Sequence, residues 1–142
     1  MNKKEDAKMK QEKSCGCIVI DHHQVLLIQQ VQGHIGFPKG HVEASESEQE
    51  TAIRETREET NLEVQIIGDN RYQEQYSPEE GIVKDVVYFL AQKVGGFEKR
   101  QEEEVSKIMW VDLEDAEDYI TFDGSKRILR KVIADLRNRK SK

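Results

Sequence analysis

Two cysteines, no long apolar run and no excess of positive charge remove several classes of function from this 142-residue chain. Cys15 and Cys17 alternate within an apolar stretch, on one face of an expected strand, and nothing else in the chain supplies partners for a thiolate metal site or a redox pair. They read as small buried side chains. No stretch approaches the apolar length of a membrane span, and the opening MNKKEDAKMKQEK has no apolar core of a secretory signal, so the cytoplasm is the expected compartment. The net charge of −6, with 35% charged residues, argues against broad affinity for nucleic acid or anionic membranes, although a local basic patch could still hold phosphates. There is no internal repeat. What remains is one domain, long enough for a real core, whose oligomeric state the sequence leaves open.

Residues 1–12 are polar and charged throughout and read as a tail, or a short extension ordered only by packing, with a single domain over 13–142. Apolar, β-rich runs at 14–20 and 24–30 flank Asp21-His22-His23, a hairpin signal in which both histidines are turn residues rather than ligands. A glycine-punctuated loop follows from Gly33 to Gly40. A helix over 47–60 begins at Ser45 or Ser47, each with a glutamate three residues on, the pattern of a capping box. Strands are expected at 62–67, 83–94 and 107–111, the first two separated by a long polar connection over 72–81. A short helix at 113–119 and an amphipathic one at 124–139, with Ile128, Leu129, Val132, Ile133 and Leu136 inward, complete the chain. Strands interleaved with two principal helices predict an α/β/α sandwich around a mixed β-sheet.

The most informative segment lies in the first helix. Glu55, Glu58 and Glu59 stand at i, i+3 and i+4, so their carboxylates share about a third of the helix circumference. Like charges at these spacings destabilise a helix by about 0.2–0.5 kcal/mol per pair. A cation between them reverses that sign, and a hard divalent ion suits carboxylate oxygens.

The surrounding sequence, GHVEASESEQETAIRETREETNL over 40–62, resembles the signature box of the Nudix hydrolases, G-x(5)-E-x(7)-R-E-U-x-E-E-x-G-U with U a bulky apolar residue. Gly40, Glu46, Arg54, Glu55, Glu58, Glu59 and Leu62 match. Thr56 stands where an apolar residue is usual, and its methyl can pack inward. Asn61 stands where glycine is usual, and asparagine is the next-best residue for a left-handed helix cap. The resemblance implies the sandwich fold and hydrolysis of a nucleoside diphosphate linked to a further group. It also implies Mg²⁺ as cofactor, with Mn²⁺ as a substitute, held by Glu58 and Glu59, with Glu55 a further ligand and the Gly40 carbonyl one more oxygen. Arg54 would orient carboxylates through a forked hydrogen bond, with Glu46 as its partner. In many relatives a glutamate from a later loop reaches the metals. Among Glu102, Glu103 and Glu104 the spacing from Trp110 favours Glu104, then Glu103. The general base is open between Glu58 and Glu104.

The loop Gly36-Phe37-Pro38-Lys39-Gly40-His41-Val42-Glu43 is similar to that of the dinucleoside polyphosphate hydrolases and the diphosphoinositol enzymes. By the same resemblance Lys39 and Lys84 are phosphate-binding, and Tyr76 stacks on a base, with Phe122 the second candidate and Tyr88 a packing residue. Diadenosine tetraphosphate is the first substrate expected and a nucleoside triphosphate, intact or damaged, the alternative; a capped or triphosphorylated RNA end comes third. The class outside enzymes is a nucleotide sensor, but such proteins commonly lose carboxylates of the box and this chain retains all four. The expected partner is a small nucleotide, with no membrane and no strong nucleic-acid binding.

Overall fold

The computed structural model of the protein describes residues 10–140. Seven strands form one sheet: β1 (Lys10–Asp21), β2 (Gln24–Gln30), β3 (Ile35–Gly36), β4 (Lys39–His41), β5 (Leu62–Tyr76), β6 (Ile82–Gly96) and β7 (Val105–Asp112). Among the described residues three helices cover it: α1 (Glu48–Thr60), α2 (Leu113–Tyr119) and α3 (Asp123–Lys140). The main path runs β3-β2-β1-β6-β5, with β4 on β1 and β7 on β2. Only β1 and β6 run parallel, so the sheet is mixed.

Side-chain alternation along the strands builds a core on each face. Cys15, Cys17 and Val19 of β1, with Val87 and Phe89 of β6, meet Ala52 of α1. Ile18, between them in sequence, points the other way, to Tyr88, Leu90 and the α3 residues Ile128, Leu129 and Val132. Each fully buried aliphatic side chain contributes about 1.5–3 kcal/mol relative to exposure. Helices on both faces make the expected α/β/α sandwich. Among the described residues no helix is long and apolar enough to cross a membrane.

Local signals act as their chemistry dictates. Ser47 caps α1, accepting from the Glu50 N–H while the Glu50 carboxylate accepts from the Ser47 N–H. Asn61 ends it at φ 63°, ψ 19°, its N–H reaching Arg57 O. Thr56 is fully buried, and its hydroxyl donates to Ala52 O at 2.8 Å. His22 and His23 turn the β1–β2 hairpin at φ 50° and 68°.

The structure departs from the sequence expectation at two polar segments. Lys10 to Lys13 pair with Ile82 to Asp85, so residues 10–12 belong to the sheet rather than to a tail; residues 1–9 lie outside the described part. Likewise β5 continues through the expected long connection to Tyr76, paired with Lys84, leaving a turn over 77–81. Apart from Tyr72, which enters the core opposite Tyr88, the side chains of residues 10–13 and 73–76 are polar or exposed, so no apolar alternation announces a strand there.

The sheet also opens where it matters. One edge of β1 is shared: β2 holds it at Ile20 and Asp21, and β4 at Ser14 to Gly16. Through this split β4 carries Gly40 against α1.

Candidate active site

A cavity of about 510 Å³ fills the split. It is lined by Glu55, Glu58 and Glu59 of α1 together with Lys39 of β4, Lys84 of β6, Glu103 and Glu104. Glu102 is not part of the lining. Gly40 sits at the junction of β4 with the helix, so close that a Cβ there would lie 1.8 Å from a Glu55 carboxylate oxygen. Only glycine allows that approach.

Arg54 organises the helix face. Its Nε and Nη2 donate to the two Glu46 oxygens at 2.6 and 2.9 Å, Nη1 donates to Glu58 at 3.1 Å, and Nη2 also reaches His41 O at 3.1 Å. The fork holds the Glu46 carboxyl down to about 2, with help from the Thr51 hydroxyl. Deeper in, Glu59 is 5% exposed and accepts the Lys39 N–H at 2.9 Å. Burial, then the neighbouring Glu55 charge, pushes its carboxyl up to about 8. Burial raises Glu55 too, with Glu58 and Glu104 adding to it against the opposing Arg54 charge. Burial, then the charge of Lys84, pushes the Lys39 ammonium down to about 8.

Two lysines close enough to repel face carboxylates close enough to repel. Each set is arranged for an opposite charge, the first for an anion and the second for a cation. The acidic donors are all hard oxygens, which suits a divalent ion. Among the described residues no three acidic, histidine or cysteine side chains are gathered into one coordination shell; Glu58 leans to Arg54 and Glu59 to Lys39 N–H.

The aromatic candidates stand apart. Tyr76, 41% exposed, is the cross-strand partner of Lys84 at the end of β5, not a loop residue, and does not line the cavity. Phe122, 51% exposed, lies outside both the core and the cavity lining, its ring 4.9 Å from that of His34 at 45°. Tyr88 packs against Phe37 in the core. Ser14, Gln30, Gln32, His41 and Gln101 line the cavity without having been flagged by the sequence. Strand register and loop docking bring them there, and neither leaves a local pattern.

A NUDIX domain family model matches residues 10–135. The asymmetrical bis(5′-nucleosyl)-tetraphosphatase of Mus musculus is 34% identical over 134 residues, covering 83% of this chain and 90% of the mouse protein. The protein of the same name from Caenorhabditis elegans is 34% identical over 101 residues, covering 70% of this chain and 73% of its own length. Among solved structures, a C. elegans Ap4A hydrolase binary complex superposes with a TM-score of 0.79 at 30% identity, over 89% of this chain and 98% of that one. A family model spanning most of the chain, and relatives at this identity over most of their own length, agree with the carboxylate-lined helix: the chain belongs to the Nudix hydrolase family.

Proposed function

We propose that this Nudix hydrolase is a Mg²⁺-dependent cytoplasmic enzyme that splits dinucleoside polyphosphates, diadenosine tetraphosphate first among them, into unequal nucleotide products. The observation that carries this reading is that Lys39 and Lys84 line one cavity together with the acidic helix face. A cleaved phosphoanhydride needs one charged centre. A second, cationic wall suits a substrate with further phosphates to hold, and a lysine serves there as a compact point charge. The names of the mouse and worm relatives point to the same substrate class.

Glu55, Glu58 and Glu59 would hold the divalent cation, with Gly40 and Glu104 at its margin. When bound, it supplies charge neutralisation, polarises the P–O bond and lowers the pKa of water. The protein's own part is positioning. Arg54 fixes the Glu58 and Glu46 carboxylates, and Lys39 and Lys84 align the phosphate chain. A carboxylate takes the proton of the attacking water as the phosphorus–oxygen bond to the leaving nucleotide breaks. Glu58 is held by Arg54 at 3.1 Å, whereas Glu104 is exposed on a loop beside the cavity, which makes Glu104 the freer base. Tyr76, next to Lys84, would stack on a base at the outer end, with Phe122 the second candidate.

The test is a panel of diadenosine tetraphosphate, ATP and inositol pyrophosphates with Mg²⁺, products resolved by ion-exchange chromatography. AMP and ATP from the dinucleotide, at a kcat/KM well above that for ATP itself, is the expected result. A preference for the mononucleotide would overturn the substrate assignment.

A further inference from the structure

The loop over 97–104, which carries Glu104, is fastened to the end of α1. Gly96, at φ 79°, turns the chain out of β6 so tightly that a Cβ there would lie 2.3 Å from Asn61 O. From that point the loop runs back across the helix terminus. Lys99 N–H donates to Thr60 O at 2.9 Å and Gln101 N–H to Glu59 O at 3.3 Å. These are carbonyls that a helix end leaves without intrahelical partners. The Asn61 side-chain amide donates to Phe97 O at 3.0 Å. At the far side of the loop Val31 N–H holds Glu104 O at 2.9 Å.

Asn61 therefore does two things at once. Its backbone closes the helix in the left-handed conformation, a task glycine performs equally well. Its amide does what glycine cannot, and this is the position where the family box usually has glycine. The bond falls at the first residue after the Gly96 turn, so it sets the register of everything downstream. Glu104 lines the same cavity as Glu55 and Glu59, and a shift in that register moves one group against the others.

We propose that Asn61 is a positioning residue: by holding the Phe97 carbonyl, its amide registers the 97–104 loop on α1 and sets Glu104 against the Glu55 and Glu59 carboxylates. This rests on the reading of Glu104 as a group that acts in the reaction. The test is Asn61→Gly, which keeps the helix cap and removes only the amide. Hydrolysis of diadenosine tetraphosphate should lose about 3–10-fold in kcat with KM within twofold, the factor a single net hydrogen bond carries. Amide exchange at Lys99 and Gln101, measured without substrate, should quicken while the α1 interior stays protected. In a Glu104→Gln background Asn61→Gly should cost nothing further in kcat, because two residues acting as a unit are not additive. An equal loss in both backgrounds, or unchanged exchange at Lys99 and Gln101, overturns the proposal. Failure of the substrate reading is seen separately, in the wild-type enzyme's own turnover.

Discussion

Gly40→Ala tests the geometry of the acidic wall most directly. The backbone at this position does not need glycine's left-handed region, so alanine is conformationally acceptable and the fold should survive. The obstacle is Glu55. Its carboxylate must retreat from 1.8 Å to the 3.4 Å of ordinary van der Waals contact, about 1.6 Å. As the free end of a flexible side chain it can move, so the cost falls on catalysis and not on stability. A misplacement of about 1 Å at a reacting centre can cost about 10²-fold in rate, so we expect kcat/KM for diadenosine tetraphosphate to fall by at least that factor, about 2.7 kcal/mol of transition-state stabilisation. The thermal midpoint should shift by only a few degrees. The double variant Gly40→Ala/Glu55→Ala supplies the control: with the carboxylate gone its clash with the new methyl is removed, and the double should be no slower than Glu55→Ala alone. Wild-type turnover in Gly40→Ala would refute the argument, and so would a double variant markedly slower than the single.

If Lys84, which lines the cavity, holds phosphates away from the scissile bond, Lys84→Ala should reduce kcat/KM for diadenosine tetraphosphate more than for ATP; an unchanged ratio in steady-state assays would remove it from the binding site. Tyr76→Ala should raise KM for adenine and guanine dinucleotides alike, by about 5–100-fold if a stacking energy of about 1–3 kcal/mol is lost, with kcat little altered. A normal KM would shift attention to Phe122. Acid stability should depend on Glu46 and Glu48, both held down to about 2, the first by Arg54 and the second by Arg71. A depressed carboxyl stabilises the fold fully above its ordinary value near 4.5 and loses that contribution as the pH falls toward 2. Thermal midpoints should therefore drop through this window, and less steeply in Glu48→Gln; an identical slope in that variant would count against the pairing.

The helix was the legible part of this site. The spacing of Glu55, Glu58 and Glu59 fixes one face, Ser47 and Glu50 fix where it begins, and Asn61 fixes where it stops, all within a few residues of chain. The opposite wall was legible only through resemblance, since nothing local to Lys39 or Lys84 says that a parallel ladder brings them together. Ser14 and Gln101 were silent for the same reason. The polar ends of β1 and β5 carry no strand signal, because that signal is apolar alternation against a core and, Tyr72 apart, their own side chains are polar or exposed. Tyr76 changed from a loop residue to a strand residue on that account, with its partner Lys84 directly opposite.

The parallel ladder between β1 and β6 joins Lys10–Val19 to Ile82–Ala91, residues 72 positions apart in the chain. Contacts this distant form only after a large entropic cost of chain closure, which makes them slow steps in folding. The β5–β6 hairpin is local and can form early. Lys84 and Lys39, however, become neighbours only when β1, bearing β4 on one edge, docks on β6 with the other. The cavity is then completed in a long-range closure. During refolding, helical signal and buried aromatic fluorescence should recover ahead of hydrolytic activity, so turnover reports the finished topology rather than the presence of its parts.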